Sequence, residues 1–244
     1  MEAGVYALQY RVEKEHWWFR ARMMILLRFL ARTIAKPPKV RILDVGCGTG
    51  AVLESLSVWY ECTGIDPSEA AIEFCRRRGL NNLVRGDITS YSGEGGFDVV
   101  TFLDVLEHIE DDRGALARAS ALLAYDGCVL ITVPAYQFLW GPQDELLHHK
   151  RRYTKRTLKA VVEKAGFSPV YLSYFNTVLF PVALVRRLTA RVWPGNPLRD
   201  LEIPGEPVNR ILKMIFSVER YVIPPWQIPF GLSLLCWARK KPAG

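Results

Sequence analysis

The chain has 244 residues, half of them hydrophobic and 23% charged, with a formal net charge of +7. That composition excludes a disordered or low-complexity chain and supplies enough apolar surface for a single compact domain. The positive balance favours an anionic partner or surface, but total charge does not choose among nucleic acid, anionic lipid and a phosphorylated substrate. No stretch reaches the roughly 18 to 20 uninterrupted apolar residues of a membrane span. Met1-Glu2-Ala3 lacks the basic region that opens a secretory signal, so none is expected. Cys47, Cys62, Cys75, Cys128 and Cys236 form no C-x-x-C pair, which predicts reduced thiols in a cytoplasmic protein and no metal site.

In chain order, residues 1–38 read as a helical segment. Glu15-His16-Trp17-Trp18-Phe19-Arg20-Ala21-Arg22 opens a helix-like stretch to Ala35 in which Arg22, Arg28 and Arg32 interrupt an apolar pattern. Trp17 and Trp18 are either a hydrophobic staple that docks this helix on a sheet or part of a lid over a ligand. A strand at about 40–46 then leads into Leu43-Asp44-Val45-Gly46-Cys47-Gly48-Thr49-Gly50. Gly46, Gly48 and Gly50 permit a tight strand-to-helix turn and close approach of a ligand to the backbone. The next strand, at about 60–66, ends in Gly64-Ile65-Asp66-Pro67-Ser68, where a carboxylate can hold both hydroxyls of a ribose. The G-x-G-x-G spacing departs from the dinucleotide pattern G-x-G-x-x-G. Asp44, just before the turn, would repel a pyrophosphate and attract an ammonium group. A nucleoside carrying an amino acid fits both carboxylates.

Further strands are predicted at about 83–88, ending in Arg85-Gly86-Asp87-Ile88, and at 97–104, 128–135, 169–177 and 231–240, with helices between most of them. Phe97 to Leu103 and Cys128 to Val133 lack alternation, as expected of strands covered on both faces. The pattern predicts an α/β, doubly wound sheet in one domain, 1–244: an N-terminal segment 1–38, a core 39–177, a helical insertion 178–230, and a final strand with its tail, 231–244.

These strand-end motifs, in order and at strand-to-helix spacing, resemble the class I S-adenosylmethionine-dependent methyltransferases. The resemblance implies a Rossmann-like seven-stranded sheet whose last strand is antiparallel and inserted between two others. It implies S-adenosyl-L-methionine as cofactor, with Gly46, Cys47, Gly48 and Gly50 in the turn against it and Asp44 near the methionine amino group. Asp66, followed by Pro67, would hold the ribose, Asp87 and the Ile88 amide the adenine, and Leu103 and Asp104 would lie beside the methionine moiety. His16-Trp17-Trp18-Phe19 followed by Ala21-Arg22 resembles the start of one subgroup. In that reading residues 1–38 are a lid, Trp17 and Trp18 stand on the substrate side, and Arg22 pairs with the methionine carboxylate.

His149-Lys150-Arg151-Arg152-Tyr153-Thr154 resembles a motif at the edge of that subgroup's substrate cleft, so Arg151 or Arg152 is expected to meet an anionic group on the acceptor. Lys155 and Arg156 fit a solvated helix start. A nucleic-acid groove would need more basic residues and stacking aromatics along one path. The insertion holds an apolar run Val178–Leu188, a Pro/Gly-rich bridge Trp193–Pro207 and an amphipathic stretch Asn209–Ile223, with Arg186, Arg187, Arg191, Lys213 and Arg220 interleaved. A cover or dimer face, an acceptor pocket and a peripheral membrane contact stay open for it, with pocket or cover ahead.

A sulfonium supplies the reactivity in this chemistry, so the protein must align an acceptor lone pair with the methyl carbon and exclude water. A hydroxyl acceptor also needs a base. His108, one helical turn past Asp104, is the first candidate and His149 the second, the alternative for His108 being a packing role. The expected activity is methyl transfer to oxygen or nitrogen of a small, partly apolar acceptor, with RNA or protein methylation and a non-catalytic cofactor-binding subunit as alternatives.

Overall fold

The computed structural model describes residues 3–34, 39–190 and 201–242; Arg191, Trp193 and most of the Pro/Gly-rich bridge lie outside the described residues. Seven strands form one sheet: β1 (Arg41–Val45), β2 (Glu61–Asp66), β3 (Leu83–Arg85), β4 (Phe97–Leu103), β5 (Leu123–Pro134), β6 (Phe167–Phe175) and β7 (Ser233–Lys240), in the order β3-β2-β1-β4-β5-β7-β6. The pairs β1–β2, β1–β4, β2–β3 and β4–β5 are parallel, and β7 runs antiparallel between β5 and β6. The inserted antiparallel strand therefore stands where the resemblance implied. Chain order reverses between β1 and β4, which opens a crevice at the carboxyl ends of these strands.

The uninterrupted apolar runs are explained by helices on both faces. On one face α5 (Asp112–Leu122) and α7 (Lys155–Lys164) bury Leu116, Leu158 and Val162 against Val100, Phe102 and Ile131. On the other, α2 (Trp17–Thr33), α3 (Ala51–Ser57) and α4 (Glu69–Arg77) bury Ile25, Leu26, Phe29, Leu53 and Ile72 against Ile42, Val99 and Leu130. Full burial of each such side chain contributes about 1.5–3 kcal/mol. Helix starts follow their caps: Ser68 accepts the Ala71 amide, Asp111 the Gly114 amide and Thr154 the Thr157 amide.

The insertion leaves the carboxyl end of β6 as α8 (Phe180–Ala190), α9 (Glu206–Ser217) and α10 (Glu219–Val222). Its root is held by the Glu219 carboxylate, which accepts the amides of Asn176 and Thr177, both at 2.6 Å. α9 packs along α2. Asn209 there accepts the Trp17 amide at 2.8 Å and donates to the Glu15 carbonyl at 2.9 Å. Through these contacts α9 fixes the start of α2. No described helix is long and apolar enough to cross a membrane.

Candidate active site

The glycine turn joins β1 to α3. Gly46, Gly48 and Gly50 have φ of +65°, +56° and +84°. A Cβ at Gly46 would stand 2.6 Å from a Val105 methyl, and one at Gly50 would stand 2.8 Å from the Cys75 sulfur, so backbone conformation and space both require glycine there. Amides of Gly46 and Cys47 donate to the Ile65 carbonyl at 2.8 and 3.1 Å, tying the turn to β2. Asp66, at the end of β2, accepts the Gly48 amide at 3.0 Å and the Ser68 amide at 2.9 Å. Burial pushes its carboxyl up against these hydrogen bonds. Pro67 beside it is exposed. Asp44 is 3% exposed and accepts the Thr101 hydroxyl at 2.5 Å. Burial raises it to about 6, against the Thr101 hydrogen bond and the Arg22 charge.

β3 stops at Arg85, so Asp87 and Ile88 lie in the turn beyond it. Asp87 is exposed and caps that turn, accepting from the Thr89 hydroxyl at 2.5 Å and from the Ser90 amide at 2.9 Å, bonds that hold it below the usual carboxylate range. Ile88 is buried. Asp44, Asp66, Asp87 and Asp104 all stand at or just past carboxyl ends along one edge of the sheet.

A helix inside the N-terminal segment expected to be helical covers the turn. α1 (Ala3–Val12) buries Tyr6, whose hydroxyl is raised by burial and by the nearby Asp66 charge. The Gln9 amide nitrogen lies 3.9 Å from where a Gly48 side chain would begin. Just after α1, Glu13 accepts the Thr49 hydroxyl at 2.6 Å and pairs with Arg78, which also donates to the Thr49 carbonyl at 2.7 Å. Tyr10 stacks on Phe74 of α4 at 4.7 Å.

The two tryptophans separate in role. Trp17 turns to the insertion, its ring 6.1 Å from that of Phe216, as a staple would. Trp18 lies against the Arg22 guanidinium, 5.3 Å from it. Arg22 is buried and pairs with Asp104 at 2.7 Å, donating also to the Thr132 hydroxyl at 2.8 Å, while its Nε has no partner. Asp104 has φ +60° and its amide donates to the Thr132 carbonyl at 2.9 Å, which binds the ends of β4 and β5 together. Leu103 beside it is half-buried.

Past β4, a 3-10 turn (Leu106–His108) carries Glu107 inward, fully buried with both carboxylate oxygens unpartnered. Burial, with the Asp104 charge adding to it, raises that carboxyl well above its ordinary value. The His108 ring stands edge-on to His149 at 4.6 Å, and burial together with that ring lowers His108 to about 4. His149 comes from the loop after α6 (Pro142–Leu146), held by the Lys150 amide donating to the Glu107 carbonyl at 2.7 Å. Its Nδ1 lies 2.8 Å from Asp144. Asp144 is fully buried and also accepts from Arg152 Nε at 2.8 Å and the Gly141 amide at 2.9 Å. Burial pushes Asp144 up, but the His149 and Arg152 contacts prevail and hold it at about 2.

Both arginines expected at an anionic acceptor are engaged internally in this arrangement. Arg152 also donates to the Ala135 carbonyl at 3.1 Å, and Arg151 reaches the Glu110 carbonyl at 2.9 Å and Asp112 at 3.2 Å. Lys155, expected in solvent, lies over the Tyr174 ring and donates to the Ile228 carbonyl at 3.1 Å; Arg156 is exposed as expected. Beyond β5, Tyr136 stacks on Phe138 at 5.1 Å and on Tyr174 at 5.0 Å, with Phe180 of α8 edge-on at 5.9 Å. Sequence reasoning missed this wall because its members come from three separate segments. It also missed Glu107, which stands beside the candidate His108, and Asp144, which lies in no motif of its own.

A family model described as methyltransferase domain matches residues 15–172. The chain is 33% identical over 145 residues to a ubiquinone biosynthesis O-methyltransferase of Bordetella parapertussis, covering 51% of this chain and 60% of that protein. It is 28% identical over 132 residues to a protein of the same name from Xanthomonas campestris pv. campestris, covering 48% and 55%. The chain therefore spans about 60% or less of the length of these curated relatives. Among solved structures, the complex between the Haloferax volcanii Trm112 methyltransferase activator and a methyltransferase aligns at TM-score 0.64 and 16% identity, over 99% of this chain and 96% of that one. At that identity the likeness shows the fold.

Proposed function

We propose that this chain, which belongs to the methyltransferase-domain family, binds S-adenosyl-L-methionine and transfers its methyl group to a small, partly apolar acceptor. The observation that carries the reading is Asp66 pinned across the glycine turn while Asp44 stands buried at the neighbouring strand end. Ribose hydroxyls go to Asp66, the amino group to Asp44, and the adenine to Asp87 and the Ile88 amide. Arg22 has one buried N–H without a partner, which fits the methionine carboxylate while Asp104 keeps the other side of the guanidinium. α1 and Trp18 close the site against water.

The bound cofactor supplies an electrophilic methyl on a sulfonium; the chain's part is to hold the acceptor in line and ease loss of its proton. Glu107, His108 and His149 form the polar group on the acceptor side, with His149 oriented by Asp144. The aromatic wall of Tyr136, Phe138 and Phe180 supports an apolar acceptor body. The relatives are named as O-methyltransferases, which supports oxygen as the acceptor atom. Incubation with methyl-labelled cofactor and a panel of phenols, catechols and amines tests the reading. Labelled product with stoichiometric S-adenosylhomocysteine supports it. Tight cofactor binding without any turnover would favour a non-catalytic subunit.

A second reading concerns the insertion. α9 exposes Val208, Ile211 and Met214 beside Arg210 and Lys213, and Trp226, after α10, is 70% exposed. That surface fits peripheral contact with an anionic membrane. Salt-sensitive sedimentation with anionic vesicles, abolished in Ile211→Asp/Met214→Asp, supports it; no sedimentation at low salt leaves the insertion as cover alone.

A further inference from the structure

We infer that Glu107, His108 and His149 form a binding site for a single divalent transition-metal ion. One ligand atom from each lies within 4.8 Å of the others. Coordination at about 2.0–2.2 Å brings opposed ligand atoms to about 4.4 Å at most, so a small inward movement of side chains completes the set. Glu107 is 0% exposed and neither of its oxygens has a hydrogen-bond partner. An unpaired buried carboxylate is unfavourable unless it is neutralised, and a cation between it and two imidazoles does so.

The two histidines are prepared as ligands. His108 is hydrogen-bonded to the Leu147 carbonyl, and His149 Nδ1 is hydrogen-bonded to Asp144. Each therefore has one ring nitrogen occupied by an acceptor and the other free to donate a lone pair. A carboxylate behind a metal-binding imidazole is the usual outer contact of such sites, and Asp144 is itself fixed by Arg152 and the Gly141 amide. The Lys150 amide on the Glu107 carbonyl locks the two ligand-bearing loops together. Two imidazoles and one carboxylate with open positions suit Zn²⁺, Fe²⁺ or Mn²⁺ rather than Ca²⁺ or Mg²⁺.

The site itself is independent of methyl transfer; its role rests on that reading. An acceptor hydroxyl in an open position on the ion becomes more acidic and gives its proton to solvent. Its oxygen electron pair forms the new bond to the methyl carbon, while the carbon–sulfur pair stays on sulfur, giving the methyl ether and S-adenosylhomocysteine.

The test uses the full chain, stripped with chelator and dialysed. Zn²⁺ is titrated by calorimetry and Co²⁺ by its visible absorption. The inference expects one ion per chain and a Co²⁺ spectrum of low coordination number. Glu107→Gln and His108→Ala should each weaken Zn²⁺ at least tenfold with unchanged circular dichroism, and Asp144→Asn should weaken it about 10- to 100-fold through His149. No saturable binding by the wild type, or wild-type affinity in both Glu107→Gln and His108→Ala, overturns the site. S-adenosylhomocysteine affinity measured in chelator reports on the cofactor reading separately: if it is lost while the ion still binds, only that reading fails.

Discussion

With the cofactor's amino group at Asp44 as proposed, cofactor affinity should depend on pH in a calculable way. In the free protein its carboxyl titrates near about 6, against an ordinary value of 3.8, because it is buried; Thr101 and Arg22 oppose the rise and Asp66 adds to it. The cofactor's ammonium group favours the ionised form, so binding below about pH 6 must expel a proton from Asp44. Each pH unit there costs about 1.4 kcal/mol, a tenfold loss of affinity. From pH 7 to pH 5 the dissociation constant should therefore rise about tenfold, with the bend near pH 6. Stability of the free protein moves the other way. A carboxyl raised in the folded state stabilises fully below its unfolded value, and that contribution, on the order of 3 kcal/mol, is lost as pH rises through about 6. Asp66 is raised by burial as well and gives the same sign, so the discriminating variant is Asp44→Asn, which keeps an oxygen for Thr101 and leaves Asp66 in place. Calorimetry with S-adenosylhomocysteine at pH 5–8, in buffers of different ionisation enthalpy, reads both affinity and proton release. A flat profile, or a slope unchanged in Asp44→Asn, would refute the placement of the amino group.

Other perturbations separate the parts of the site. Asp66→Ala removes the acceptor of two backbone amides together with the ribose clamp, at about 1.5–3 kcal/mol for each charge-assisted bond, so affinity should fall on the order of a hundredfold or more; unchanged affinity in a folded variant would remove the cofactor assignment. Gly46→Ala combines a 2.6 Å contact with Val105 and φ +65°, whereas Gly48→Ala meets nothing closer than 3.9 Å and bears only about 1–2 kcal/mol of backbone strain, so thermal melting should rank Gly46→Ala as the more damaging. Deleting residues 1–12 removes α1 and leaves α2 on the sheet, so circular dichroism should stay native-like while cofactor affinity drops; normal affinity would show that α1 is no lid. Arg152→Ala removes the guanidinium partner of the buried Asp144 and should cost about 3–5 kcal/mol in chemical denaturation; a change confined to acceptor KM would instead place Arg152 on the acceptor.

The strand ends and glycine turn proposed to hold the cofactor were legible because their information is local. Asp44 to Gly50 and Gly64 to Ser68 each carry strand, turn and helix start within a few residues, and parallel neighbours bring their ends to one edge without further instruction. The rest of the proposed site is assembled from distant segments. Arg22 meets Asp104 only because α2 crosses the ends of β4 and β5, and His149 meets Glu107 only because the Lys150 amide closes a loop onto a carbonyl far back in the chain. Arg151 and Arg152, placed at an anionic acceptor by the motif resemblance, pair with Asp112 and Asp144, buried partners that no local charge pattern reveals. Trp17 and Trp18 show the same limit at single-residue scale. Neighbours on a helix point about 100° apart, so one reaches Phe216 and the other Arg22, and no local pattern says which.

On the proposed function, that separation bears on how acceptor choice would be set. α9 fixes the first turn of α2 through Asn209 and Phe216, and the same helix carries Arg22 to Asp104 at the junction of the two sites. α8 brings Phe180 onto Tyr136 at the acceptor wall. Changes in the insertion would therefore reach the proposed acceptor side along two packed routes, while among the described residues the glycine turn, tied to β2 through Ile65 and Asp66, has no hydrogen bond to α8 or α9. On the proposed function, repacking α8 would alter the acceptor wall through Phe180, whereas changes in α9 would also reach Arg22 and with it the methionine carboxylate.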